Sequence, residues 1–294
     1  MQLFCQYLVS GIALGSLYAL VAIGYSLVYG VLELINMTHG TIYMIGAFMF
    51  YIAFELWNVP VVLAVIIALL VCGILGFAVE HLTLRPLRKA RMPKTAALIC
   101  TIGVSTILQN TMLFLMGSQS RSYPTLFNGQ FFVVGGVYIS YLQVTIVVVA
   151  AVLLFALNFF IKRSRLGMAM RATSANYDAA ELMGISTDFI IGLTFFIGAV
   201  LAAVSGIFGC MTFMTVNISS GVSVGMKTFA ATVLGGIGEF KGAVLGGLVI
   251  GIVESLTAGY IGSEVRDIAA FGALIIVLIL RPSGLLGKPM QKKV

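Results

Sequence analysis

Nine long apolar runs, at about 8–30, 41–56, 60–79, 95–116, 142–161, 188–213, 222–238, 242–261 and 267–280, leave this chain little with which to face water. Apolar residues make up 60% of it and charged residues only 9%, against about a quarter charged in ordinary soluble domains. A segment crossing lipid must satisfy its own backbone hydrogen bonds, so the runs are expected to be helices. At roughly 20 residues per span, 294 residues hold eight to ten crossings and no separate soluble domain. The fold class is therefore an all-α polytopic membrane protein of about 8–10 transmembrane helices, some discontinuous, forming one domain over 1–294. The first ten residues contain no Lys or Arg, and the first run extends to about Val28. Both features suit a permanent first span better than a signal peptide.

The net charge of +7 is concentrated beside these runs. Arg85, Arg88, Lys89, Arg91 and Lys94 form one cluster, and Lys162, Arg163, Arg165 and Arg171 a second. Arg281, Lys288, Lys292 and Lys293 form a third. This is the positive-inside pattern, with contact to lipid head groups as its partner chemistry. No stacking aromatics accompany the basic patches, so nucleic acid is not expected as a partner. If the three basic loops are cytoplasmic, the turn-rich stretch 117–141 (Gly117, Ser118, Pro124, Asn128, Gly129) lies outside, the amino terminus lies outside and nine crossings result. The run 222–238, with Lys227 and four glycines, is the weakest span.

Four cysteines sit in or beside apolar runs without C-x-x-C spacing, which points to small buried hydrophobes rather than disulfides or a metal site. Gly221–Thr228 nearly reads as a phosphate loop, but Met226 separates the glycine from Lys227, and Gly236–Gly242 misses G-x-G-x-x-G by one residue. No nucleophile, base and orienting group converge either, so no catalytic residue is expected. Pairs such as Gly11/Gly15, Gly242/Gly246 and Gly247/Gly251 have G-x-x-x-G spacing, which suits close packing of helices within the chain or between subunits.

Two stretches carry functional chemistry. In the loop 162–187, Ser174–Gly184 has the marks of one short amphipathic helix. Ser174 or Asn176 would cap it, Asp178 and Glu181 favour its positive end, and Gly184 supplies a left-handed stop. Ala179, Ala180 and Met183 give it a small flat face. Such a helix either seats in a partner's groove or rests on lipid. The second stretch is Asn36, Met37, Thr38, His39 and Gly40, between the first two runs. There Gly40, with Asn36 and Thr38 nearby, is expected to interrupt the helix, either lining a cavity at membrane depth or marking the junction of two ordinary capped helices. Glu33, His39, Lys227 and Glu254 are the candidate intramembrane ionisable residues, with Lys227 and Glu254 able to pair. Asn36, Thr38, His39, Gly40, Lys227 and Glu254 thus form the candidate translocation path.

Motifs along nearly the whole length resemble the branched-chain amino acid (LIV-type) permease family of ABC transporters. They include G-I-A-L-G-S-L-Y-A-L-V-A-I-G-Y-S-L-V-Y-G (11–30), I-N-M-T-H-G-T-I-Y-M-I-G-A (35–47), R-P-L-R (85–88) and T-I-G (101–103). R-L-G-M-A-M-R-A (165–172), V-L-G-G-I-G-E-F-K-G-A-V-L-G-G (233–247) and R-P-S-G-L-L-G (281–287) complete them. Asp178 to Gly184 resembles the E-A-A-x-x-x-G coupling loop, with Asp in place of Glu. The resemblance implies an inner-membrane importer subunit, not itself an enzyme, working with a second and distinct permease chain, two cytoplasmic ATPases that bind ATP and magnesium, and an extracytoplasmic solute-binding protein. Asp178, Ala179, Ala180, Glu181 and Gly184 would then meet the ATPase, with Arg165, Gly167 and Arg171 placing the helix. The chain itself would need no cofactor and no metal. The alternative from the residues alone is an ion-coupled secondary transporter or channel, which would explain the intramembrane charges but not a docking helix.

Overall fold

A computed structural model describes residues 2–124, 126–127 and 129–287. Asn128 of the outer tip and Lys288, Lys292 and Lys293 of the third basic cluster lie outside the described residues. Each apolar run becomes a helix. In order these are α1 (Gln2–Leu32), α2 (Thr38–Tyr51), α3 (Val61–Val79), a short α4 (Arg85–Lys89), α5 (Lys94–Met116) and α6 (Tyr141–Arg163). There follow α7 (Arg165–Ala175), α8 (Tyr177–Leu182), α9 (Thr187–Phe213), α10 (Ser220–Gly235), α11 (Phe240–Tyr260) and α12 (Arg266–Leu280). Single π turns, Ile52–Leu56 and Glu80–Leu84, extend α2 and join α3 to α4. Among the described residues seven helices are long and apolar enough to cross a membrane, with α3 and α4 counted as one continuous rod. The runs at 222–238 and 267–280 form helices of only 16 and 15 residues, below the usual span length.

The rod ends gather on two faces. On one, Gln6 exchanges hydrogen bonds with the Tyr138 backbone at 2.7 and 2.8 Å, and the Tyr7 and Tyr260 rings meet at 5.5 Å. Here too lie the outer strands, with β1 (Arg121–Ser122) paired to β4 (Thr215–Val216) and β2 (Phe131–Val134) paired to β3 (Val137–Ser140). These small strands are the one departure from an all-α outline. On the other face lie Lys94 paired with Glu33, the Ser174 hydroxyl donating to the Gly30 carbonyl, and Arg85 with Asp188. This second face carries the basic loops and so is the cytoplasmic one. Of these two short rods, α10 starts beside β4 and its end at Gly235 meets the tail that follows α12, whose first residues, Arg266 and Asp267, lie against Glu254 and Lys227.

The G-x-x-x-G pairs act inside the chain. A Cβ at Gly251 would stand 2.3 Å from Gly15 Cα, and one at Gly247 would stand 2.6 Å from Ala19 Cα. So α1 and α11 touch backbone to backbone, the contact lipid favours. The tail R-P-S-G-L-L-G folds back under α10: Leu285 and Leu286 N–H groups donate to the Leu234 and Gly235 carbonyls at 2.8 and 3.0 Å. Those acceptors would otherwise be orphaned at the helix end.

Candidate functional site

The chain breaks between α1 and α2 at residues 33–37, and Gly40 is not the cause. It lies inside the first turn of α2, where a Cβ would meet Gly221 O at 2.5 Å and Gly225 Cα at 2.7 Å on α10. Gly40 is needed for close approach rather than for a bend. The break itself follows from Asn36, whose side chain accepts from Thr38 N at 3.1 Å and Thr38 Oγ1 at 2.5 Å. That local bonding restarts the helix.

The restart is deep. His39 meets the Tyr25 ring edge-on at 4.7 Å between centroids, and lies where a Cβ of Gly24 would stand. Gly24 is eight residues from the end of α1, roughly 12 Å of helix rise. Asn36, Thr38 and His39 are all buried. Glu33 is not an intramembrane group: its side chain is 70% exposed and pairs with Lys94 on the basic face.

In front of the break a groove of about 250 Å³ opens between α1, α2, α5 and α10. Its floor is Gly40, Gly221 and Gly225, and its walls carry Tyr25, Thr41, Ser105, Thr106 and Gln109. Thr41 and Ser105 hydroxyls stand 2.6 Å apart, and the Gln109 amide donates to both at 3.3 and 3.4 Å. The Tyr25 hydroxyl donates to Gly225 O at 3.4 Å. The groove therefore offers hydroxyls, an amide and close backbone, with no charge. Sequence reasoning missed Thr41, Ser105 and Gln109; the available signal was a glutamine next to an asparagine in the middle of run 95–116.

Lys227 and Glu254 are not brought to this groove. Two residues past Gly225 is a 200° turn of the helix, so Lys227 faces the other way. Its ammonium meets Glu254 Oε1 at 2.8 Å and Asp267 Oδ1 at 2.7 Å, while the Tyr18 hydroxyl donates to Glu254 Oε2 at 2.7 Å. The buried charges are paired as low dielectric demands, and they join α1, α10, α11 and α12. The near-miss phosphate loop Gly221–Thr228 is helical throughout and packed on Gly40, so it presents no free amide cradle.

On the basic face the expected single helix 174–184 is two. Asn176 takes an extended backbone (φ −159°, ψ 110°), and its side chain accepts from Ala179 N at 2.9 Å, so α7 stops and α8 starts there. Of the two candidate caps Asn176 is the one used, since Ser174 bonds to Gly30. Gly184 supplies the left-handed stop at φ +81°.

The expected apolar face is also revised. Ala180 turns inward and is buried, while Leu182 and Met183 are 88% and 83% exposed beside exposed Ala179, Asp178 and Glu181. Gly167 lets α7 press onto α6, since a Cβ there would stand 2.4 Å from the Phe160 and Ile161 carbonyls. Arg171 donates to the same Ile161 carbonyl. Arg165 is exposed. Among the described residues no cluster of three metal-ligating side chains occurs.

A bundle whose chain breaks at depth before its second helix, faces an uncharged groove in which Met37, Ile102, Val222 and Met226 line the wall beside the polar groups, and carries a small helix on its basic side belongs to the class of membrane transport permeases. Residues 7–280 match the family described as branched-chain amino acid transport system / permease component. The chain is 42% identical to the high-affinity branched-chain amino acid transport system permease protein BraD of Pseudomonas aeruginosa, over 99% of this chain and 98% of the relative. It is 40% identical to the corresponding protein LivH of Escherichia coli, with the same coverage. A probable branched-chain amino acid transport permease protein LivH of Methanocaldococcus jannaschii is 26% identical over 94% of this chain and 90% of its own length. No solved structure matches. The chain belongs to the branched-chain amino acid permease family, and it is a multi-pass transport subunit of the inner membrane.

Proposed function

We propose that this chain forms one half of the pathway of an ABC importer for branched-chain amino acids or similar small polar solutes. Its partners are a second, distinct permease chain, two cytoplasmic ATPase subunits and an extracytoplasmic solute-binding protein. The ATPases hold ATP and magnesium; this chain supplies no phosphate loop and needs no cofactor of its own. One observation carries the reading: the end of α8 and its cap present Leu182 and Met183, almost wholly bare, beside the acidic Asp178 and Glu181 on the basic face. A lipid-resting helix would carry basic rather than acidic flanks, whereas a helix seated in a partner's groove presents such anchors.

The groove supports the second half of the reading. Thr41, Ser105 and Gln109 can exchange hydrogen bonds with a zwitterion without holding it by charge, which suits a path whose selectivity resides in the binding protein. Gly40 and the deep restart at Asn36–Thr38 set the floor; His39 stands behind it. Lys227 and Glu254, away from the groove, hold the helices that frame it.

The test is the purified complex in vesicles. Leu182→Glu with Met183→Glu should abolish ATPase association and uptake while leaving insertion intact, because both side chains touch nothing in the chain. Normal uptake by this variant, or nucleotide-free accumulation by the chain alone, would overturn the proposal. Ligand identification on the co-purified binding protein fixes the solute.

A further inference from the structure

Motion at α8 must reach the groove through some physical link, and the hydrogen bonds and packing single out one side chain. Arg88, on α4, donates from Nη1 to Glu80 Oε1 at 2.9 Å and from Nη2 to Asp188 Oδ1 at 2.5 Å. Glu80 is buried in the π turn that ends α3, and Asp188 is the second residue of α9. The guanidinium also lies over the ring of Tyr177, the first residue of α8, at 5.9 Å. Arg85 adds a two-pronged contact to Asp188 Oδ2, both nitrogens at 2.7 Å. One cation thus holds the docking helix, the span after it and the π turn of α3.

The apolar packing around it leads to the groove. Tyr177 and Leu87 pack on a cluster of Val28, Leu84, Ala97, Ile191 and Phe195. Val28 is in α1, and Ala97 is in the first turn of α5, the helix that carries Ser105 and Gln109. A π turn carries one residue more than the regular ladder and is frequent at functional sites. A planar, always charged fork can hold two carboxylates and a ring face together, which an ammonium cannot do.

We infer that Arg88 is a positioning residue of the transport cycle, transmitting displacement of α8 to the π turn of α3 and to the start of α5. This rests on the docking role of α8 proposed above. Transport and hydrolysis should come apart when the link is cut, with the ATPases still bound.

The experiment reconstitutes the complete complex, with ATPases and binding protein, and measures solute moved per ATP hydrolysed. For Arg88→Gln and for Asp188→Asn the ratio should fall about tenfold, within the 5–150-fold span of typical coupling between sites. Arg88→Lys, which restores charge without the fork, should recover part of the loss. The ATPases should co-purify in all three variants.

An unchanged ratio in Arg88→Gln would overturn the inference, as would loss of ATPase association in both Arg88→Gln and Asp188→Asn, which would put these residues in the dock itself. Glu80 would be left buried beside a neutral side chain in Arg88→Gln. If that variant fails to insert, Asp188→Asn, whose side chain is partly exposed, decides alone. Absence of ATP-driven uptake by the unaltered complex would instead sink the importer reading.

Discussion

Helices α5 and α6 are equally bare, with only 17% of the most apolar stretch buried in each, yet their open faces differ in kind. Along α6 the exposed side chains are Val144, Val148, Val152, Phe155 and Phe159; its polar Gln143 turns inward to Ser10. Along α5, Ser105, Thr106, Gln109 and Asn110 fall on one stripe near mid-helix, with Thr106 and Asn110 exposed. Threonine hydroxyls can return to their own helix, as Thr106 does to Ile102 O at 3.0 Å. Asn110 uses its amide N–H on Thr106 O at 2.8 Å, which leaves its carbonyl oxygen facing outward. Acyl chains offer nothing to such a group. Exposure therefore means lipid for α6 and a polar neighbour, water or a second permease, for the Thr106–Asn110 stripe of α5, while Ile99, Ile107, Phe114 and Leu115 elsewhere on α5 are as bare and apolar as the face of α6.

A cation is the sharpest way to break this contrast. Val152→Arg on α6 should cost about 2.5–3.5 kcal/mol in apparent insertion free energy, and membrane yield should drop accordingly. Asn110→Arg on α5 should insert almost normally; equal losses in a yield assay would remove the distinction. Next in size, Gln109→Leu deletes the donor shared by Thr41 and Ser105. The protein should remain in the membrane, while uptake falls by about tenfold, corresponding to about 1.4 kcal/mol; unaltered uptake would remove the α5 stripe from the path. The smallest effect concerns access. A water-soluble maleimide should label Thr106→Cys several-fold faster than Val148→Cys in the isolated chain, and addition of the partner permease should slow the former. Similar labelling at both sites would make α5 a second lipid face.

The helices and the basic face were legible in the sequence because each depends on neighbours in the chain. Apolar runs of adequate length, bounded by Arg85–Lys94 and Lys162–Arg171, needed no tertiary information. Positions of the breaks were less legible. Gly40 looked like a hinge because glycine bends helices, but what it meets is α10, some 180 residues later. Asn176 looked like one of two equivalent caps until Ser174 found the Gly30 carbonyl. Ala180 was placed on one flat face with Ala179 and Met183, because the break at Asn176 that turns it inward could not be read from a single helix over 174–184.

The groove was least legible, since Thr41, Ser105 and Gly225 come from three separate runs. Lys227 and Glu254 pair as expected but do not line this groove: two residues along a helix is nearly the opposite side, and Lys227 lines a separate cavity with Tyr18 and Tyr43. Arg88 was legible only as part of a basic cluster and of R-P-L-R, because its partner Asp188 is 100 residues away.

The clasp of the tail beneath α10 has a bearing on how this molecule is made. The floor of the groove belongs to a helix whose last carbonyls wait for Leu285 and Leu286, some fifty residues downstream. That end of α10 closes only after α11 and α12 have been laid down, so this wall of the groove takes its final form late, when the chain returns to it.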